Sequence, residues 1–427
     1  MPMTEKNSAA KTVFAIGVML MIAVTCFFSL YTLLPNAAVY LGLAEPKDAL
    51  PVVEVPLKKE YPFREGDDIR KEPAAPAEKF TAVVTELEDH INEYSTNENP
   101  LAPFFYKIFG TVNRTLGKNL TENSERDVYR LESGRMVYLS KSEPVYSAWD
   151  YISDFSEWLK KKDTDFLYIL PISLSDDSVH DFPDGFETGY ADTAEKFRDF
   201  LSKKGIDCLD AKKYLLSKNP EFDSWFYKTD HHWNVDAGIA VAGETLRLMS
   251  DKYGLNVDPA VCGRDNFESV VYKDAFLGSF GRKVTLGYTE PEDIEILCPK
   301  SDTNFHIEIR ENKIDKSGSF CDTLIYEDII RCSYSTNSSY EAFLYGDKNL
   351  IRIENKGVDN GVRVLVLKQS NADIVNPYIA LAVQYTDIID PRSFKGSIRT
   401  FIEKENPDIV LICSGCPGSE DTPWILK

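Results

Sequence analysis

The sequence predicts an α/β domain built on a doubly wound, mostly parallel sheet, carried behind one membrane-spanning helix. Three observations lead there. From about residue 147 onward, short apolar runs alternate with amphipathic helical stretches. Those runs are apolar along their whole length, as strands covered on both faces are. Residues 12–34 form an uncharged run of 23, which as a helix rising about 1.5 Å per residue spans a hydrocarbon core of ~30 Å.

Lys6 and Lys11 precede that run and Glu45 is the first charge after it. The positive-inside rule then makes residues 1–11 a cytoplasmic tail and puts the rest outside the cytoplasm. A cleaved signal peptide has a shorter apolar core of roughly 7–15 residues, so the run reads as an uncleaved anchor, with Asn36-Ala37-Ala38 leaving cleavage open. Residues 35–77 carry Pro46, Pro51, Pro56, Pro62, Pro73 and Pro76 among mixed charges and read as an extended linker. Residues 78–146 form a lead-in. Its first helix aligns Phe80, Val83, Val84, Leu87 and Ile91 on one face, with His90 beside them as a structural residue.

The domain proper is expected over 147–427. SAWDYISDFSEWLKK reads as a helix, DFLYILPIS (165–173) as a buried strand, and ADTAEKFRDFLSKKG as a helix stopped by Gly205. IDCLD (206–210) is a strand. The next helix sets Ile239, Ala242, Leu246, Met249 and Tyr253 on one side and ends at Gly254. VRVLVLK (362–368) is a strand followed by a helix to about Tyr385. The strand TDIID, the helix SIRTFIEKEN and the strand DIVLIC (408–413) complete the order. Residues 255–361 break the rhythm with IEIL, HIEI and TLIYEDII and read as a β-rich insertion.

Composition narrows the partners. Hydrophobic residues make up 43% of the chain and its formal charge is −20. That charge excludes a nucleic-acid binder and argues against a domain lying flat on anionic lipid. Seven of the eight cysteines lie beyond the apolar run. Cys413-Ser414-Gly415-Cys416 has redox spacing but sits too near the end to open a redox helix, so it reads as a disulfide or two thiols.

In a doubly wound sheet the reactive groups collect beyond the carboxyl ends of the strands. Ser370 follows the apolar run 362–368 by two residues, where the chain turns toward a helix whose first amides can face an oxyanion. Asp230 and His232 sit in FYKTDHHWN, just before a helix that Asn234 can cap. In an extended segment they project to the same side, leaving His231 pointing away and without a catalytic role. An aspartate to fix the tautomer, a histidine to take the proton and a serine to attack a carbonyl form the set that activates a hydroxyl. A capped, packed turn would use the same residues, and zinc is a third reading. Zinc needs three or four ligands, and His180 is the only other histidine in a plausible strand-end loop.

YKTDHHWN resembles the namesake motif of the bacterial DHHW proteins, of the SGNH hydrolase-like superfamily, which are similar to exported alginate O-acetyltransferases. The resemblance implies an SGNH-like fold in permuted order, with Asp230 and His232 as acid and base and Trp233 as the motif aromatic. Ser370 of Lys368-Gln369-Ser370 then matches the nucleophile of a family KDS stretch. It implies O-acetyl transfer or ester hydrolysis on a cell-envelope glycan, no cofactor, and a polytopic membrane acyltransferase as donor. Trp233, Arg282, Asp347 and Gln369 become the expected substrate-binding residues. Gln369 stands where the family has Asp, and Tyr345-Gly346-Asp347 where a GGN-like turn is expected. Those departures carry the alternative: a surface protein that keeps the fold, binds glycan or supports envelope assembly, and has lost the chemistry.

Overall fold

Residues 102–121, 127–331 and 337–417 are described in a computed structural model of the chain, and all belong to the unit spanning 84–427. The apolar run 12–34, the linker 35–77 and the helix expected from residue 78 lie outside the described residues. Among those described, no helix is long and apolar enough to cross a membrane.

The lead-in consists of helix α1 (Ala102–Thr115) and an antiparallel sheet of β1 (Leu120–Thr121), β2 (Val128–Arg130) and β3 (Met136–Tyr138). Then come α2 (Tyr146–Lys160), β4 (Asp165–Leu170), α3 (Tyr190–Lys203), β5 (Asp207–Asp210), α4 (Ala211–Lys218) and α5 (Val235–Asp251). The middle stretch holds β6 (Phe267–Phe276), α6 (Ser279–Val284), β7 (Glu292–Pro299), β8 (Phe305–Ile309), β9 (Ile314–Gly318) and β10 (Leu350–Asn355). Strand β11 (Arg363–Lys368), β12 (Tyr385–Ile389), α7 (Ile398–Glu405) and β13 (Ile409–Cys413) complete it.

The main sheet has eight strands in the order β5-β4-β13-β11-β12-β10-β8-β9. The first five run parallel, and β10, β8 and β9 extend the edge antiparallel. The uninterrupted apolar strands follow from burial on both faces. On one face Tyr168, Leu365, Leu367 and Ile412 pack with Trp149, Phe155, Phe197 and Ile402 from α2, α3 and α7. On the other, Leu167, Val364, Val366 and Leu411 share a core with Ile239, Ala242 and Leu246 of α5. Alternate residues of one strand therefore meet different helices, and no polar face is left to read.

Three expectations need correction. Residues 255–361 are only partly an insertion: β6 and β7 pair as a separate ribbon, but β8, β9 and β10 continue the central sheet. TLIYEDII is also not a strand, since Phe320–Leu324 and Glu327–Ile330 are helical. The helix expected after β11 is instead a 3-10 turn, Ser370–Ile374, and a short helix, Asn376–Ile379. Pro377 lacks the N–H a continuous helix would use there. A disulfide joins Cys298 at the end of β7 to Cys321, while Cys413 and Cys416 are buried thiols.

Candidate active site

The loop holding the two adjacent histidines is closed by an antiparallel bridge between Phe226 and Trp233. Tyr227 N–H donates to the His232 carbonyl at 3.3 Å and Asn234 N–H to that of Trp225 at 2.9 Å. Asn234 caps α5 as expected, its Oδ1 accepting the Ala237 N–H at 3.2 Å. Inside the loop, Asp230 Oδ1 accepts the His232 N–H at 3.0 Å, which turns the chain back on itself. That turn, rather than strand alternation, brings the two side chains together. The expected direction of His231 is corrected with it: its ring lies against that of His232, centroids 3.9 Å apart.

Asp230 Oδ1 is 2.7 Å from His232 Nδ1, and His232 Nε2 is 2.8 Å from Ser370 Oγ. Residues 138 apart in sequence thus share one line of hydrogen bonds. Asp230 is buried and His232 nearly so, while Ser370 is half-buried at the start of its turn. Burial alone would raise the Asp230 carboxyl, but His232 and His231 beside it hold it well below the usual carboxylate range. An ionised carboxylate only accepts, so the proton sits on Nδ1 and Nε2 is left to accept from the serine. Burial, reinforced by His231, holds the His232 imidazolium below its ordinary pKa of 6.5, against the pull of Asp230. The ring is neutral at neutral pH, the state a base requires.

Neighbours fix this arrangement. Ser279 N–H, at the start of α6, donates to Asp230 Oδ2 at 2.8 Å, and its hydroxyl lies 2.8 Å from His231 Nδ1. Tyr340 stacks on the His232 ring, centroids 4.0 Å apart and planes 10° from parallel. Gly278 sits so close to Asp230 that a Cβ would collide with that side chain and stand 2.6 Å from the Thr229 carbonyl. Its own N–H is held by Thr229 Oγ1 at 2.9 Å, so the backbone has no room to recede. Gly278→Ala is expected to destabilise the fold by ~1–3 kcal/mol. Thermal unfolding of the purified variant checks this, and an unchanged melting temperature contradicts it.

Of the four residues expected to bind substrate, one lies in the cleft. Gln369 lines it, its side-chain oxygen accepting the Gly415 N–H at 3.1 Å. Trp233 is corrected to a brace: it is 0% exposed and its indole donates to the Asn371 carbonyl, pinning the turn that carries Ser370. Arg282 is turned to backbone instead, donating to the carbonyls of Leu277 at 3.2 Å and Asn337 at 3.4 Å. Asp347 does not line the cleft, and its carboxylate pairs with Lys368 at 2.5 Å and Arg392 at 2.8 Å. The negative charge that Asp347 adds to this turn is therefore offset by two cations. The turn itself is strained, with Leu344, Tyr345 and Gly346 at φ 52°, 63° and 76°; the first two cost ~1–3 kcal/mol each. Lys368, fully buried, also pairs with Asp373, whose carboxyl burial pushes up to about 7.

The cleft opens beyond the carboxyl ends of β4, β11 and β13 and has about 240 Å³ of room. Ser370 and Asn371 lie at its edge, and their N–H groups meet no acceptor among the described residues. Tyr138 and Phe280 supply apolar surface, Ser173 and Ser175 hydroxyls, and Lys141 and Arg392 positive charge. The metal reading centres on Asp230, His231 and His232, whose donor atoms lie within 4.8 Å of one another. Both Nδ1 atoms face the same Asp230 oxygen, at 2.7 and 3.1 Å. Tetrahedral zinc with bonds near 2.0 Å would hold its donors ~3.3 Å apart, so the set fits hydrogen bonding better. His180 does not join it, pairing with Asp223 at 3.5 Å.

Sequence reasoning missed Ser279 and Tyr340, and it named Lys368 only within the Lys368-Gln369-Ser370 stretch, without its ion pairs. Lys368 alone carried a signal, a lysine closing an otherwise apolar strand. Tyr340 and Ser279 reach the imidazoles only through tertiary packing.

No protein-family model and no curated protein matches the sequence. Solved structures do match its fold. One is Bacillus cereus PatB1 with a sulfonyl adduct, 19% identical, covering 69% of this chain and 96% of its own, at a TM-score of 0.56. Another is a DHHW family protein from Eubacterium siraeum, 14% identical, covering 72% of this chain and 97% of its own, at a TM-score of 0.53. The chain shares its fold with both.

Proposed function

We propose that this chain is a DHHW-type serine acyl-ester enzyme, acting by O-acetyl transfer or ester hydrolysis on a cell-envelope glycan outside the cytoplasm. The observation that carries the reading is the continuous line Asp230–His232–Ser370, with hydrogen bonds of 2.7 and 2.8 Å. The shared fold supports it, and so does the sulfonyl adduct of PatB1, since sulfonyl electrophiles trap activated nucleophiles. The export assignment and the N-terminal anchor rest on the sequence alone. So does the polytopic membrane acyltransferase as acyl donor, which the family resemblance implies.

In this mechanism His232 Nε2 takes the Ser370 hydroxyl proton as Oγ adds to the ester carbonyl. Asp230 stabilises the imidazolium that forms. The N–H groups of Ser370 and Asn371 are the donors this reading assigns to the oxyanion. As the tetrahedral adduct collapses, the C–O bond to the leaving alcohol breaks and His232 returns the proton to it, leaving acyl-Ser370. A second hydroxyl, from water or a glycan, gives its proton to His232 as it attacks the acyl group; the acyl–Oγ bond then breaks and His232 returns the proton to Ser370 Oγ. The cleft's room of about 240 Å³ is smaller than the ~300–1,000 Å³ of pockets that enclose a whole small molecule. It suits one acylated arm of a larger chain.

The protonation states set the pH profile. A base whose pKa lies below about 6.5 is active above that pKa and lost below it. With p-nitrophenyl acetate, kcat/KM is expected to rise through a midpoint below 6.5 and stay level above pH ~7. A midpoint above 7 counts against His232 as the base. The degenerate-binder alternative predicts no turnover at any pH.

A further inference from the structure

The chain carries a formal charge of −20, yet a second cleft is lined by Arg114, Arg130, Arg135 and Lys228 against a single carboxylate, Asp223. That carboxylate is already engaged, 3.2 Å from Arg135 Nε and 3.5 Å from His180 Nε2. Arg135 forms the floor. Its side chain is 7% exposed, and its two terminal nitrogens donate to the carbonyls of Tyr227 at 2.7 Å and Asp223 at 2.8 Å. Arg114 spends one donor on the Tyr288 carbonyl at 2.8 Å and is otherwise exposed. Arg130 and Lys228 make no ion pair among the described residues. Like charges gathered in one concavity repel one another, and an anion between them relieves that repulsion. Guanidinium groups offer the forked donor geometry that fits phosphate and carboxylate oxygens.

This cleft adjoins the one at Ser370. Met136 in β3 lines the basic cleft and Tyr138, two residues on, lines the other. At about 3.3 Å per residue that is ~7 Å. Lys228 and His231 bridge the same two clefts along a second segment. We propose that Arg114, Arg130, Arg135 and Lys228 form a binding site for an oxyanion, phosphate or carboxylate, on the same polymer that presents its ester to Ser370. The link to the ester rests on the acyl-enzyme reading; oxyanion binding does not.

The test is calorimetric titration of the full chain carrying Ser370→Ala with polyphosphate, polygalacturonate and, as a neutral control, dextran. At least one polyanion is expected to bind and dextran is not. Adding Arg130→Gln and Lys228→Gln is expected to weaken that binding about tenfold or more. The same pair of substitutions in the Ser370 protein does not lower its melting temperature, which separates loss of the site from loss of the fold. Tighter polyphosphate assigns a phosphate ligand, and tighter polygalacturonate a carboxylate. Failure of both polyanions to bind, or equal binding by the double variant, overturns the proposal. Lack of turnover by the Ser370 protein overturns the acyl-enzyme reading instead and leaves the anion site standing.

Discussion

Ser370→Ala is expected to lower kcat for p-nitrophenyl acetate hydrolysis by a factor on the order of 10⁴–10⁶. The nucleophile is the group that forms the covalent bond, so nothing else in the cleft replaces it. The hydroxyl is half-buried and its one described partner is the His232 ring at 2.8 Å. Its removal leaves no buried group unsatisfied beyond that nitrogen. Folding is therefore expected to survive, with a melting temperature within a few degrees of the parent. Steady-state kinetics with a circular-dichroism melt separate loss of chemistry from loss of fold. A variant retaining a tenth of the parent rate contradicts the assignment.

Asp230→Asn is expected to reduce kcat by about 10⁴ while leaving the fold in place. The amide keeps the shape of the carboxylate, and with its oxygen in place of Oδ2 it still accepts the Ser279 N–H, though it loses the bond from the His232 N–H. What changes is the proton on the ring. An amide NH₂ facing Nδ1 favours the tautomer protonated at Nε2, and that nitrogen then cannot accept from Ser370. The negative charge that stabilises the imidazolium is also lost. The effect should fall on kcat far more than on KM, because no substrate group touches Asp230. Kinetics across pH provide the check, and a variant losing less than tenfold shows that Asp230 only caps the turn.

The parallel half of the sheet was legible because β4, β11 and β13 are buried on both faces, so their sequences are almost wholly apolar. β10 and β8 alternate buried and half-buried residues. That pattern reads as a strand but not as one joined to this sheet, and the pairing of β10 with β12 and of β8 with β10 depends on where the chain returns. At the site, Asp230, His232 and Ser370 stood out as polar residues at the ends of ordered runs. The brace around them did not. A buried tryptophan and a sugar-stacking one look alike in sequence, and Trp233 differs only in having the Asn371 carbonyl within reach. Asp347 looked like a defect until Lys368 and Arg392 were found beside it. His231 was misjudged because a side chain bonding its own backbone overrode the alternation of an extended segment.

The central claim is that His232 makes the Ser370 hydroxyl nucleophilic. Incubating the full chain with a fluorophosphonate and locating the adduct by peptide mass spectrometry tests it most directly. One phosphonyl group is expected on Ser370, with the rate of labelling reduced at least a hundredfold (about 2.7 kcal/mol) in His232→Ala. A parent chain that stays unlabelled, or one labelled at Ser370 as fast without the imidazole as with it, contradicts the account.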